Sequence, residues 1–260
     1  MTKSRRTLEV RLARSEADIL AAQRLRYKVF VEELGAAGSG VDHERKVEAD
    51  HLDGWFEHLL LIDTKKPAET LDHVVGAYRL LRSDVANEIG GFYSSNEFDL
   101  TPLLSLDRPL VELGRTCVHP SYRGGASMFM LWNGLAKYVL DNGISIMFGS
   151  ASFHGTDLQS LVHPLSYLHH RYLAPSDLRV TALQDSDLDL ELLPEDDVDD
   201  QLARKLMPPL IKAYLQLGGF VGDGVYLDQA FNTVDVCLLI DTERMNARRR
   251  TYYEKNWSRN

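Results

Sequence analysis

The sequence predicts an α/β protein with a mixed, mostly antiparallel central sheet flanked by helices. Segments with strand character alternate with helical segments early in the chain, and hairpin-like strands follow near its end. At 260 residues, of which 44% are hydrophobic and 26% charged, the chain can bury a sizeable core. We expect a single domain over residues 1–260, with an insertion near 83–107 and an acidic loop near 185–200.

The first predicted helix begins at Ser15, where Ser15 and Asp18 form a typical N-terminal pair. The apolar residues between Ile19 and Phe30 recur at helical spacing. Glycine commonly follows a helix because it adopts left-handed backbone angles without strain, so we expect this helix to end near Gly35.

The later elements are predicted from apolar runs and from the turn residues between them. Strands are expected at His58–Asp63, Val74–Leu81, Leu110–Val118, Ile144–Phe148, Gly219–Tyr226 and Asp235–Ile240, and helices at Phe129–Leu140, 155–174 and Gln201–Gln216. Pro208 and Pro209 should kink or divide the last of these helices. We expect a loop at Gly149–Phe153, a helix cap at Thr156 and Asp157, and a basic helix at the end of the chain.

Composition excludes several classes of protein. No apolar run reaches the roughly 18 residues that span a bilayer, and no secretory signal follows the basic start. Cys117 and Cys237 lie in apolar strand-like runs, which predicts buried free thiols in a reducing compartment. We therefore expect a cytoplasmic protein. Nucleic acid is not an expected partner, because the net charge is −9 and no basic–aromatic interleaving occurs.

Charge is unevenly distributed along the chain. Residues 185–200 hold nine acidic side chains and no Lys or Arg, whereas the first 28 residues carry eight basic side chains against three acidic ones. The last residues add Arg244, Arg248, Arg249, Arg250, Lys255 and Arg259. This asymmetry predicts either a basic face that docks an acidic protein or anionic lipid, or simply two solvated ends.

The segment Val111–Gly125 carries the strongest chemical signal. An apolar-rich strand pattern holds Glu112 and Arg115, stops at His119-Pro120, and leads through a glycine turn into a helical run. Burying charge is costly unless it is paired or used, so the two charges either form an ion pair that braces the sheet or belong to a site. Strand residues three apart face opposite sides unless a bulge intervenes, which favours separate roles.

This strand, turn and helix N-terminus resemble the GNAT acyltransferase superfamily, in which the turn after the fourth strand holds the pyrophosphate of a thioester donor. Arg123 matches the first position of the usual Arg/Gln-x-x-Gly-x-Gly/Ala loop, but Ala126 and Met128 stand where its last two small residues should be. The departure disfavours acetyl-coenzyme A as donor. It fits a branch of the superfamily that takes acyl chains from acyl carrier protein.

A second block narrows the resemblance. Arg26–Gly35 is similar to a segment shared by acyl-homoserine lactone synthases and ornithine-lipid N-acyltransferases, which also share an acidic patch and a following arginine, matched here by Glu48, Asp50, Asp53 and Arg79. Glu112–Arg115, His119–Arg123 and Pro208–Gly218 favour the ornithine-lipid enzymes. The resemblance spans residues 8–240.

The resemblance implies an N-acyltransferase that moves a 3-hydroxyacyl chain from acyl carrier protein to the α-amine of L-ornithine, giving lyso-ornithine lipid. No cofactor and no metal are implied, because the acyl chain arrives on the phosphopantetheine of acyl carrier protein. The expected partners are acyl carrier protein and L-ornithine. Peripheral contact with anionic lipid, at the inner face of the cytoplasmic membrane, is a further expectation.

The reaction requires a proton acceptor, because a free α-amine has a pKa of about 8 or higher and is mostly protonated at neutral pH. Glu112 is the candidate to receive that proton, directly or through water. By resemblance, the backbone of 113–118 would bind the carbonyl oxygen as charge develops on it. We therefore predict Glu112 and Arg115 as the catalytic residues.

Two further sets of residues complete the predicted site. The predicted substrate-binding residues are Arg26, Phe30, Asp50, Asp53 and Arg79; the acids would hold a cationic side chain and an arginine would clamp a carboxylate. The predicted donor-binding residues are Cys117, Val118, His119, Arg123, Gly124, Gly125, Ser152 and Phe153. Structural alternatives remain for many of them: a solvated turn or helix cap for the acids, turn geometry for the glycines, and plain core for residues 150–153.

Other functions remain open at this level. An acyl-homoserine lactone synthase shares the matched positions, although length and the 208–240 region count against it. A coenzyme A-dependent acetyltransferase and a catalytically silent membrane-associating protein are further alternatives. The adjacent His169 and His170 lack the spacing of metal ligands, and no nucleophile-elbow or P-loop motif occurs.

Overall fold

A computed structural model describes residues 7–183 and 190–245 of the 260-residue chain. The strands are β1 (Leu8–Leu12), β2 (Val41–Asp42), β3 (Val47–Glu48), β4 (Glu57–Asp63), β5 (Val74–Arg82), β6 (Phe98–Asp99), β7 (Leu110–Val118), β8 (Ile146–His154), β9 (Thr181–Ala182), β10 (Phe220–Val221), β11 (Tyr226–Asp228) and β12 (Thr233–Asp241). The α-helices are α1 (Glu16–Arg26), α2 (Ser83–Ile89), α3 (Thr101–Leu104), α4 (Gly125–Asp141), α5 (Val162–Tyr172), α6 (Asp200–Leu206) and α7 (Pro209–Gln216).

The chain forms two compact units, each built from two stretches of sequence. In the first unit, residues 7–85 with 113–143, β1 pairs antiparallel with β4, and β4 pairs antiparallel with β5. Helix α1 packs on β5, and α4 packs on β1 and β4. Leu25 and Val29 from the helical side meet Leu60 and Ala77 of the strands in a buried core. This packing covers the apolar face of the antiparallel strands.

The second unit comprises residues 86–112 with 144–245 and contains both parallel and antiparallel strand pairs. The first residues of β7 run parallel to β8, from Leu110↔Ile146 to Glu112↔Phe148. Strand β8 pairs antiparallel with β12 along its whole length, and β12 also pairs antiparallel with β10 and β11. Helix α5 packs on α6 and β10, and α7 packs on β12. The predicted mixed, mostly antiparallel sheet with flanking helices is confirmed.

Most of the predicted elements form where the patterns indicate. The Ser15 side chain accepts a hydrogen bond from the Asp18 N–H at the start of α1, which continues as a π-helix over Tyr27–Glu33. Strand β7 has the predicted bounds, and α6 and α7 are separated at the predicted prolines. Residues 83–107 form the short helical pieces and loops expected there. Cys117 and Cys237 are buried free thiols.

Three local predictions are wrong. The predicted strand Gly219–Tyr226 is interrupted, because only its Phe220–Val221 part and the later Tyr226–Asp228 pair with β12. Residues 149–153 are not a loop, because β8 continues to His154 in unbroken antiparallel pairing with β12. Helix α4 begins at Gly125, ahead of the predicted Phe129, directly after the glycine turn.

The predicted single domain stays a prediction. Part of the acidic loop, 184–189, and the basic end of the chain beyond residue 245 lie outside the described residues. No helix in the described ranges is long and apolar enough to cross a membrane.

Candidate active site

Glu112 is a buried carboxylate in the middle of β7, with only 2% of its surface exposed. Its Oε2 accepts a hydrogen bond from the Tyr93 N–H at 2.9 Å. Its Oε1 accepts from the Ser94 N–H at 2.6 Å and from the Ser94 hydroxyl at 2.5 Å. The two backbone donors lie at the start of the 3₁₀ turn Tyr93–Asn96, where N–H groups have no partner within the turn. These donors hold the carboxylate in one orientation.

Arg115 occupies an irregular position on the same strand. Its φ of 49° is left-handed, which is rare for a residue with a side chain and is concentrated at functional sites. Its Nε lies 3.3 Å from Glu48 Oε1 and its Nη2 lies 3.5 Å from Asp50 Oδ2. The hydrogen bonds described for Glu112 and the ion pairs described for Arg115 involve different residues, and the separate roles of the two stay a prediction.

Arg26 and Arg79 lie in a buried charge network with the predicted acids. The Arg26 guanidinium forms a bidentate ion pair with the Asp53 carboxylate, with Nη1–Oδ1 at 2.6 Å and Nη2–Oδ2 at 2.8 Å. Its Nε lies 2.6 Å from Glu48 Oε2. Arg79 Nη1 bridges Asp50 at 2.7 Å and Asp53 at 2.9 Å. Both arginines are about as buried as a residue can be, with 1% of their surface exposed.

The acids are set in a turn rather than a helix. The Asp53 N–H donates to the Asp50 carbonyl, and the Asp50 side chain accepts from the Leu52 N–H. Burial opposes ionisation of Asp53, but its hydrogen bonds and proximity to Arg26 and Arg79 outweigh burial and hold its pKa well below the usual range. Each acid already faces a guanidinium, so a substrate ammonium there would have to compete with an arginine.

Phe30 is the remaining predicted substrate-binding residue. It lies in the π-helix Tyr27–Glu33 and packs, partly buried, against the core formed with α1. Its role in binding substrate stays a prediction, as do those of Arg26, Asp50, Asp53 and Arg79.

The predicted donor-binding turn connects β7 to α4. The His119 N–H donates to the Val75 carbonyl, and His119 Nδ1 accepts from the Ser121 N–H. Arg123 donates through Nε to the Val118 carbonyl, and its Nη1 and Nη2 pair with the Glu33 carboxylate at 2.5 and 2.6 Å. These contacts brace the turn through which the chain passes Gly124 and Gly125 into the helix.

A cavity of about 200 Å³ opens beside this turn and is rich in basic groups. Its basic lining residues are Arg24, Lys28, Lys46, Lys66 and His119, and its acidic lining residues are Glu32 and Asp72. Burial and the charges of Lys28 and Lys66 lower the pKa of His119. The cavity suits an anionic group such as a phosphate.

Cys117, Ser152 and Phe153 fit donor binding less directly. Burial raises the pKa of the Cys117 thiol to about 12, so this residue contributes packing rather than a nucleophile. Ser152 and Phe153 are neighbours on β8 and therefore point to opposite faces of the sheet. Phe153 is buried and Ser152 exposed, so the two side chains do not face a common space, and their roles in donor binding stay predictions.

A second group of acids, in the second unit, was missed by sequence reasoning. One carboxylate oxygen each from Glu97, Asp228 and Asp235 lies within 4.8 Å of the others, a spacing that could hold a cation. The Ser150 hydroxyl donates to the Glu97 carboxylate. Burial, followed by the charges of Asp235, Asp228 and Glu112, raises the pKa of Glu97 to about 8. Asp235 had a sequence signal, since it lies inside an apolar strand pattern.

Comparison with known proteins identifies relatives over nearly the whole chain. Residues 25–133 match the model of the acetyltransferase (GNAT) domain. An L-ornithine N(alpha)-acyltransferase of Rhodobacter capsulatus is 57% identical over 247 residues, which cover 95% of each chain. An L-ornithine N(alpha)-acyltransferase of Brucella abortus is 42% identical over 250 residues, covering 95% of this chain and 89% of the relative.

Solved structures show the same fold at low identity. An N-acyl amino acid synthase from uncultured soil microbes has a TM-score of 0.56 at 9% identity, with 94% of this chain and 99% of the other covered. A CoA-dependent acyl-homoserine lactone synthase has a TM-score of 0.54 at 14% identity, with 96% and 89% covered. The predicted GNAT-like architecture is thereby confirmed.

Proposed function

The chain belongs to the L-ornithine N(alpha)-acyltransferase family of GNAT-fold acyltransferases, and from this premise we propose that it acylates the α-amine of L-ornithine. The family assignment supplies the reaction class, acyl transfer to nitrogen. The observation that carries the proposal within the structure is Glu112, a buried carboxylate held by three hydrogen bonds directly ahead of the irregular backbone at Arg115.

The proposed acyl donor is a 3-hydroxyacyl chain on acyl carrier protein, and the proposed product is lyso-ornithine lipid. The basic cavity beside His119 supports this donor, because phosphopantetheine carries a phosphate that lysine and arginine side chains recognise. Acyl carrier protein is itself acidic, so the same charges would assist its docking. No resident cofactor enters this proposal, since the thioester is already activated.

In the proposed mechanism Glu112 receives a proton from the α-ammonium of ornithine, directly or through one water. The free amine then attacks the thioester carbonyl carbon and forms the C–N bond. The carbonyl oxygen gains negative charge and is stabilised by backbone N–H groups of β7 that follow Glu112. Collapse of this intermediate breaks the C–S bond, the nitrogen loses its remaining extra proton, and the thiolate leaves and is protonated to the thiol.

The proton acceptor Glu112 and the proposed backbone N–H donors are neighbours along β7. The residues after Glu112 are covalently joined to it and advance about 3.3 Å each along the strand. An irregular backbone conformation, such as that of Arg115, turns the adjacent peptide groups away from a regular ladder. A proton acceptor and N–H donors for the developing oxyanion would thus lie on one short segment.

The test is release of free thiol from 3-hydroxyacyl carrier protein, with L-ornithine, L-lysine, S-adenosylmethionine or no acceptor. We expect release with ornithine and formation of the N-acylated product by mass spectrometry. Glu112→Gln should lower kcat by about 100-fold or more, the range of general-base contributions. Release with S-adenosylmethionine alone would contradict the proposal and indicate a signal synthase.

Glu9→Gln is a matched control, because it makes the same substitution at a half-exposed strand position of β1. It should leave kcat and the midpoint of thermal unfolding unchanged. Equal activity of Glu112→Gln and Glu9→Gln would contradict the role of Glu112.

Peripheral membrane contact is a further part of the proposal, supported by the basic side chains near both ends of the sequence. Co-sedimentation with vesicles that contain anionic lipid, but not with neutral vesicles, is the expected result.

A further inference from the structure

We propose that Glu97, Asp228 and Asp235 form the subsite that binds the side-chain ammonium of the diamino-acid acceptor, an inference that rests on the proposed function. Ornithine carries two amines, and only the α-amine is to be acylated. The second amine is therefore expected to stay protonated and to be held away from the thioester. A pocket of carboxylates performs both tasks, because it stabilises the charged, non-nucleophilic form.

The strand register brings these groups to one face of the sheet. Residues opposite each other in an antiparallel pair point to the same side. The opposed pairs on this face are Asp228–Thr233, Tyr226–Asp235, Asp235–Ser152 and Cys237–Ser150. Glu97 directly follows the 3₁₀ turn Tyr93–Asn96 and reaches the same face, where the Ser150 hydroxyl donates to its carboxylate. Three acids from three separate chain segments therefore converge.

The spacing of the carboxylate oxygens fits an ammonium ion. The three oxygens lie within 4.8 Å of one another. An atom at the centre of such a triangle lies at most about 2.8 Å from each oxygen, which is the length of a charge-assisted N–H···O bond. A primary ammonium has three donors and needs three acceptors, whereas Ca²⁺ takes 6–8 oxygen ligands at about 2.3–2.6 Å. The acid group satisfies the ammonium with one oxygen from each residue.

Thr233 adds an independent observation that points to a ligand. Its side chain is buried, with 7% of its surface exposed, and its hydroxyl oxygen has no hydrogen-bond partner among the described residues. The register places it opposite Asp228 and two residues from Asp235, on the same face of β12. A buried hydroxyl without a partner is costly, so a polar ligand at this face would satisfy it.

The electrostatic surroundings of Glu97 also favour a bound cation. After burial and the Ser150 hydrogen bond, the largest influences on its pKa are the negative charges of Asp235, Asp228 and Glu112. The pKa of Tyr226 is raised by burial and then by Glu97, Asp228 and Asp235. In the empty cluster the raised pKa leaves a proton on Glu97 at neutral pH, and a cation held among these groups would take the place of that proton.

The distance from this subsite to Glu112 matches the length of ornithine. Glu112 lies opposite Phe148, so Ser150 is one strand over and two residues along on the same face. The spacing between strands of about 4.8 Å and the two-residue rise of about 6.7 Å place the Cα atoms of Glu112 and Ser150 about 8 Å apart. The two nitrogens of ornithine are five bonds apart, about 6 Å in the extended chain. One molecule can therefore present its α-amine to Glu112 while its ammonium lies beside Glu97.

The test compares L-ornithine with L-norvaline, which has the same carbon chain but no side-chain amine. Wild-type protein should use ornithine at least about 100-fold better in kcat/KM. Asp235→Asn and Asp228→Asn should each reduce this preference by about 10- to 100-fold, because each removes one charged partner of the ammonium. The rate with norvaline should stay within about 3-fold in both variants, which also shows that they fold.

Asp107→Asn, at an exposed position of the same unit, is the control and should leave the preference unchanged. An unaltered ornithine preference in both test variants overturns the inference, while turnover of ornithine by the wild type leaves the proposed function standing. Loss of all turnover on chelation, restored by Ca²⁺, would also overturn it by revealing a metal site. If the wild type acylates neither ornithine nor norvaline, the proposed function fails. Calorimetric measurement of the affinity for ornithine and for norvaline then tests the subsite on its own.

Discussion

Replacing Arg26 with methionine tests whether the charged network at the predicted substrate site is part of the folded scaffold. The substitution keeps a long side chain but removes a guanidinium that is 1% exposed and contacts both Asp53 and Glu48. Two buried carboxylates would each lose a charged partner. Removing one side of a buried ion pair costs about 3–5 kcal/mol, since the remaining charge stays desolvated.

That cost is measurable as a shift in thermal unfolding. For a chain of this size each kcal/mol lowers the midpoint by about 2–4 °C, so we expect Arg26→Met to unfold about 6–20 °C below the wild type. Differential scanning fluorimetry at pH 7 suffices. The gap should narrow as pH falls below about 4, because the depressed pKa of Asp53 gives the wild type stability that is present above the unfolded pKa of about 3.8 and is lost as pH falls through the lower folded pKa.

Arg123→Met is the matched control, because it makes the same substitution in a surface ion pair. Arg123 pairs with Glu33, and both side chains are substantially exposed, 45% and 35%. Such pairs contribute at most about 1 kcal/mol, so the midpoint should move by no more than about 4 °C. A shift of Arg26→Met as small as that of Arg123→Met, with a large rise in KM for ornithine, would refute the scaffold reasoning and favour a carboxylate clamp.

Three further predictions concern other parts of the molecule. Glu97 has a pKa of about 8 against an ordinary value near 4.5, so the folded state keeps a proton that the unfolded chain loses, and the stability of the wild type falls as pH rises between these values. The unfolding midpoint of Glu97→Gln should therefore rise relative to that of the wild type from pH 5 to 8, and parallel midpoint–pH profiles would contradict this. Gly134→Ala should lower the free energy of unfolding by about 1–3 kcal/mol although alanine has the better helix propensity, because the added Cβ would clash with Val10 Cγ1. In urea unfolding, the double variant with Val10→Ala should recover part of this loss, and strictly additive effects of the two substitutions would argue against the clash. Tyr122→Phe should cost about 1.5–3 kcal/mol, since its hydroxyl donates to buried Asp63 at 2.6 Å; no change in the unfolding midpoint would show that water replaces this bond.

Glu112 and Arg115 were recognisable from sequence for a simple reason. Charges within an apolar strand pattern stand out, because burying them requires a partner or a use. The same rule applies to Asp235, which is also embedded in an apolar run on β12 and is 4% exposed. No motif accompanies Asp235, so this charge alone did not predict a site.

Ser94 and Glu97 carried no comparable signal. They lie in the 83–107 segment, whose short helical pieces have no long apolar period. Their partners are distant in sequence: Ser94 binds Glu112, 18 residues away, and Glu97 binds Ser150, 53 residues away. Nothing in local composition predicts such a meeting.

The sequence by itself determined the order and type of most elements, the family and the unusual charges of β7. These depend on short-range rules of periodicity, capping and breaking that neighbouring residues set. Only the tertiary structure decided that Asp50 and Asp53 face arginines, that Ser152 and Phe153 point to opposite sides of a strand, and that Glu97 joins Asp228 and Asp235. Those outcomes depend on strand register, where a shift of one residue reverses every side chain, and on contacts between distant segments.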